Sequence, residues 1–189
     1  GKGLRKVTDL NPQARTWKLP QIQLFSWQAA DGTTVEGVLE LPPDWKEGDP
    51  PLPLVLQLHG GPTWATHMGL SVGTGGRGIF ASRGWALLSP NYRGSTGYGD
   101  DFLRGLIGRE NDIEISDSLA GVDALIAAGL VDGERLAVMG WSNGGYMTNC
   151  IIATTERFKA ASSGAGVVDQ TLQWAIEDTP GHVINYMKA

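Results

Sequence analysis

Residues 139–145 read Met-Gly-Trp-Ser-Asn-Gly-Gly, and a serine framed by glycines at this spacing restricts the surrounding fold severely. Gly-x-Ser-x-Gly suits a sharp strand-to-helix turn that leaves the serine hydroxyl exposed at the end of a buried strand. An isolated serine hydroxyl is a weak nucleophile at neutral pH, so it must stand where a base can reach it. Gly140 and Gly144 lie two positions either side of Ser142. Side chains there would collide with the adjacent strand or helix as the backbone passes through strained dihedrals. In a chain with 27 glycines among 189 residues, the pattern carries little weight without its context. That context is present. Residues 136–140, Leu-Ala-Val-Met-Gly, form an apolar run suited to a buried parallel strand, and residues 146–154 continue as an apolar, helix-compatible segment. The combination predicts acyl transfer through Ser142.

Acyl transfer also needs donors for a developing oxyanion. Residues 54–58 have a buried-strand pattern that runs straight into His59-Gly60-Gly61-Pro62, where a loop can present backbone donors. The N–H of Gly61 and the N–H of Asn143, just after the nucleophile, are expected to converge on the oxyanion, each worth several kcal/mol. His59 and Gly60 are read as shaping that loop. His59 is not expected to be the base, because in this arrangement the base follows the acid late in the chain.

Four motifs occur in order: His-Gly-Gly-Pro at 59–62, Asn-Tyr-Arg-Gly-Ser-Thr-Gly-Tyr-Gly at 91–99, Gly-Leu-Val-Asp at 129–132 and Gly-Trp-Ser-Asn-Gly-Gly-Tyr-Met at 140–147. Over about residues 20–189 the chain resembles the prolyl oligopeptidase family, especially its acylaminoacyl-peptidase and dipeptidyl-peptidase branches. The resemblance implies an α/β-hydrolase catalytic domain, usually preceded by a β-propeller that restricts entry to short peptides. It also implies Ser142 as nucleophile, with Asn143 and the 59–61 loop as oxyanion hole. Two positions depart from the family pattern. Some relatives have Tyr where His59 stands, and many have an aromatic residue where Asn143 stands, although a backbone donor does not depend on the side chain.

Hydrolases of this fold order their triad as Ser, then Asp or Glu, then His. After Ser142 the chain offers Asp169, Glu177, Asp178 and a single histidine, His182. Asp178 and His182 fall in one local segment, whereas acid and base belong on two different loops. Both are therefore expected beyond residue 189, and residues 21–189 read as part of a catalytic domain, truncated before its last strands. Residues 1–20, with scattered basic residues and no apolar run, read as a linker or the tail of an upstream domain.

A net charge of −5 with no Lys/Arg cluster argues against nucleic acid and anionic membranes as partners. The substrate class expected is a peptide or acyl-peptide. Cys150 is the sole cysteine, so no intrachain disulfide or cysteine metal site is expected. The three histidines lie far apart in sequence, and no metal is expected. No cofactor is expected either. Gly73, Gly75 and Gly78 match a dinucleotide fingerprint but lack a preceding strand and a later ribose-binding acid. Without a signal sequence or an apolar span the chain leans towards a soluble, cytoplasmic protein.

A strand pair at 22–27 and 34–41, turning at Asp31-Gly32, is expected to form an antiparallel start to a mostly parallel sheet with helices on both faces. Strands follow at 54–58, 86–89, 136–140 and 159–168, with helices before Arg83, at 117–128 and at 146–154. Arg93 and Tyr98 are expected near the site, Arg93 pairing with Asp100 or Asp101. A carboxylesterase of the same fold is the nearest rival reading. A non-catalytic fragment is another, as is a chain needing a homo-oligomeric partner or a complementing C-terminal segment, because the strand edge near 160–167 would be left open.

Overall fold

The structure, a computed structural model, describes residues 7–71, 77–176, 178 and 181. Its centre is a six-stranded sheet in the order β1-β2-β4-β3-β5-β6. Gln21–Gln28 (β1) and Thr34–Leu41 (β2) form the expected hairpin, and β2 pairs antiparallel with Ala86–Asn91 (β4). From there the sheet is parallel: Leu52–Leu58 (β3) lies between β4 and Val131–Trp141 (β5), and Phe158–Gly164 (β6) completes the edge.

Strand alternation sorts the helices. Leu54, Leu56 and Leu58 of β3, Leu88 of β4, and Leu136 and Val138 of β5 are each at most 1% exposed and join one core cluster. That face meets Ile113–Ala127 (α3), through Val122 and Leu125, and Asn143–Thr154 (α4), through Met147 and Ile151. Trp27 closes this packing, its indole N–H donating to the Asp117 carbonyl at 2.8 Å while its ring lies where a Cβ on Gly121 would stand. At roughly 1.5–3 kcal/mol per large side chain, this cluster supplies most of the driving force for the sheet. The opposite face carries Val55 and Gln57, and Arg77–Ala81 (α1) packs against β2 and β4 there. Here Arg77 reaches the buried Glu40 carboxylate at 3.2 Å. Two shorter helices are Asp100–Arg104 (α2) and Gln170–Ile176 (α5).

Boundaries differ from expectation in places. The helix expected from residue 117 begins at Ile113, because Glu114, Asp117 and Ser118 turn inward rather than mark a polar start. The helix expected from 146 begins at Asn143, directly after the serine. The last strand stops at Gly164 rather than 168, and Ala165 turns the backbone to φ 47°. Gly73 and Gly75 lie outside the described residues.

Candidate active site

The β5 strand ends at Trp141, and Ser142 then adopts φ 59°, ψ −123°, a combination that costs an L-residue of order 1–3 kcal/mol. The chain reverses there into α4. The Ser142 N–H donates to the Gly164 carbonyl on β6 at 2.9 Å, and the Ser142 carbonyl accepts the first helical bond from Tyr146 at 3.0 Å. Both backbone groups are thereby fixed, while Ser142 itself is exposed. The flanking glycines have steric causes: a Cβ on Gly140 would run into the Gly144 carbonyl, and one on Gly144 into the Leu58 carbonyl. Asn143 occupies the first turn of α4, so its N–H has no acceptor within the helix.

Because β3 and β5 are neighbours, with Leu58 opposite Gly140, the loop leaving β3 runs beside the serine. Gly60 makes the close approach. A Cβ there would stand 2.9 Å from the Trp141 carbonyl and 3.2 Å from the Ser142 Cβ. Gly61 is exposed, with φ 127°, a value that favours glycine. The expected Ser142, Gly60, Gly61 and Asn143 therefore occupy one end of two adjacent strands.

The His59 ring is engaged by its own loop and by the loop after β4. Its Nδ1 lies 2.8 Å from the Gly60 carbonyl and its Nε2 2.9 Å from Ser95 Oγ. A carbonyl only accepts, so Nδ1 carries the proton and Nε2 accepts from Ser95. Burial depresses the His59 pKa to about 4, and the ring is neutral at pH 7. Tyr92, fully buried, stacks on it at 4.2 Å and donates its hydroxyl to the His59 carbonyl at 2.7 Å. Burial pushes the Tyr92 phenol far above its usual range, with the Asn143 side chain as a polar neighbour pulling the other way.

Arg93 takes partners other than those expected. Its guanidinium grips Asp117 through Nε at 2.9 Å and Nη2 at 2.5 Å, and also pairs with Asp31 in the β1–β2 turn. Asp100 pairs instead with Arg104, one helical turn along α2. Asp117 is buried and acceptor-only, so it demands a cation, whereas Asp100 is served by its own helix and by solvent. Tyr98 is half-buried. Its hydroxyl accepts from Asn91 Nδ2 at 2.9 Å, its ring packs against Phe102, and Asn91 also holds both backbone groups of Thr66.

Sequence reasoning passed over Tyr92, Ser95 and Asn91 as site residues, although all three belong to the motif at 91–99. It also passed over Glu114, whose carboxyl is buried beneath the α3 start. Burial, opposed by hydrogen bonds from the Asn111 and Glu114 N–H groups, lifts its pKa to about 7. The nearby Tyr92, Tyr146 and Cys150 all feel its charge. A cavity of about 920 Å³ lies on the α1 face, lined in part by Gly60, Trp64, Met139 and Trp141; Ser142 is not among its lining residues. Asp178 is exposed, and His182 lies outside the described residues. Among the described residues no group of three or more His, Cys, Asp or Glu side chains could hold a metal ion, and no helix is long and apolar enough to cross a membrane.

Known proteins are similar to this chain in sequence and fold. A family model described as the prolyl oligopeptidase family matches residues 76–189. The uncharacterized peptidase YuxL of Bacillus subtilis (strain 168) is 38% identical over 85% of this chain and 24% of its own length. Acylamino-acid-releasing enzyme 2 of Oryza sativa subsp. japonica is 34% identical over 68% of this chain and 16% of its own length. The solved Pyrococcus horikoshii acylaminoacyl peptidase superposes on 97% of this chain with a TM-score of 0.84 and 27% identity. The chain covers 30% of that structure, so it spans a minor part of each of these relatives. The six-stranded sheet is thus part of an α/β-hydrolase fold. With the family match covering the elbow, β5 and α4, the chain belongs to the prolyl oligopeptidase family.

Proposed function

We propose that this chain carries the nucleophile side of a serine peptidase that hydrolyses short peptides through an acyl-enzyme on Ser142. Ser142 Oγ attacks the scissile carbonyl. The N–H groups of Gly61 and Asn143 receive the negative charge on the carbonyl oxygen, and water then releases the acyl group. One observation carries the reading: an exposed serine held at φ 59° between the end of a central parallel strand and the helix behind it, with Gly60 alongside. A residue spends strain of that kind where its position matters to the chemistry.

The base and its acid are assigned to sequence outside residues 1–189. His59 is unsuited to the task, since its two nitrogens are engaged by Gly60 and Ser95. Residues 1–20 are assigned as a linker or the tail of a preceding domain, and 21–189 as part of the catalytic domain.

A fluorophosphonate probe tests the nucleophile. Applied to the intact enzyme, it is expected to label Ser142, with Ser142→Ala losing both the label and peptide hydrolysis. Retained hydrolysis in that variant would remove Ser142 from the mechanism. Peptide anilides hydrolysed faster than simple esters are expected for a peptidase, and the reverse for a carboxylesterase.

A further inference from the structure

The Gly61 N–H belongs to the same peptide unit as the Gly60 carbonyl. In a trans peptide these two groups point in opposite directions, so whatever holds the carbonyl aims the N–H. The Gly60 carbonyl is held by His59 Nδ1–H at 2.8 Å. Two buried groups in turn hold His59. Ser95 Oγ, 2.9 Å from Nε2 and fully buried, keeps the proton on Nδ1, which is the tautomer able to donate to Gly60. Tyr92 stacks on the imidazole at 4.2 Å and fixes the preceding peptide by donating to the His59 carbonyl at 2.7 Å. The Asn143 side chain lies beside the same phenol, so Tyr92 sits between the two segments that carry the proposed donors.

We propose that Tyr92 and Ser95 are positioning residues of the oxyanion hole, acting through His59 to turn the 60–61 peptide so that its N–H faces Ser142. Neither touches the substrate. A phenylalanine would fill the Tyr92 site equally well and leave no hydroxyl to satisfy, so volume alone does not account for the tyrosine. If the anchors are lost, the peptide between two glycines is free to rotate, and the donor is lost in the transition state while substrate binding persists.

The inference rests on Ser142 being the nucleophile, and the intact enzyme tests both. Tyr92→Phe is expected to lower kcat about 10- to 100-fold per fluorophosphonate-titrated site, with KM within about twofold. It is also expected to weaken inhibition by a peptide aldehyde, which forms an oxyanion at the site, by a similar factor. Ser95→Ala, which leaves the ring stack in place, is expected to show the same signature more weakly, and it serves as the test if Tyr92→Phe does not fold. A merely structural role would lower the melting temperature and the yield but leave kcat per titrated site and aldehyde affinity unchanged, and that result overturns the proposal. Activity surviving in Ser142→Ala would instead overturn the nucleophile assignment, a separate and separately visible failure.

Discussion

At the residue scale, three glycines around Ser142 have distinguishable duties. Gly140 and Gly144 exist because two backbones touch: any Cβ would overlap a carbonyl that belongs to a strand or helix and cannot yield cheaply. Gly144→Ala is expected to destabilise the fold by about 3 kcal/mol or more, read by chemical denaturation. Gly60 differs in degree, since its Cβ would stand 2.9 Å from the Trp141 carbonyl and 3.2 Å from the Ser142 Cβ, against overlaps of 2.1 Å at Gly140 and 2.2 Å at Gly144. Gly60→Ala is expected to cost less stability but to slow fluorophosphonate labelling at least 100-fold. Equal losses of stability in the two variants would contradict this division. The sequence pattern marked Gly140 and Gly144 directly. The role of Gly60 required knowing that β3 and β5 are neighbours.

At the element scale, α3 begins with buried acids that a polar N-terminus would not need. The Glu114 carboxyl accepts from the Asn111 N–H at 2.6 Å, yet its pKa is raised from 4.5 to about 7 because burial outweighs that bond. An acid with a folded pKa above its unfolded value binds protons more tightly when folded. Its charge therefore subtracts stability as pH rises from about 4.5 to about 7, and the loss is complete above that. Glu114→Gln retains an acceptor for Asn111 and is expected to stabilise the protein by up to about 3 kcal/mol at pH 8 and by little at pH 4.5. Thermal melts at the two pH values check it; a gain confined to pH 4.5 would be the wrong sign. His59 acts oppositely. With its pKa depressed from 6.5 to about 4, acidification through that window favours the unfolded chain, by on the order of 3 kcal/mol once complete. Glu114→Gln should leave this acid-side loss in place.

At the scale of the whole molecule, the end of β4 acts as a hub. Three consecutive residues leave it for three parts of the chain: Asn91 to Thr66 and Tyr98, Tyr92 to His59, and Arg93 to Asp117 and Asp31. The Arg93 link joins the β1–β2 turn, the loop after β4 and helix α3. Asp117 is fully buried, so Arg93→Ala leaves an uncompensated charge and is expected to cost about 3–5 kcal/mol in a denaturant titration. Lysine lacks the fork that grips both carboxylate oxygens, and Arg93→Lys is expected to recover less than half of that loss. A variant with wild-type stability would show that Asp117 has found another partner.

Local chemistry settled much of this protein in advance. The elbow, the glycine loop and the hairpin could be read from short patterns, since each depends on backbone conformation and on apolar periodicity within a few residues. The strand order had no such local signature, because pairing is decided by which apolar faces bury each other best across long stretches of chain. For the same reason the sequence offers Arg93 its near neighbours Asp100 and Asp101 as partners, whereas the buried carboxylate of Asp117, twenty-four residues away, has the greater need of a cation. What the residues fixed alone is a serine on a tight bend and a loop rich in donors. Only the packed sheet, by setting β3 against β5 and β4 against β3, brought the two together and placed Tyr92 beneath them.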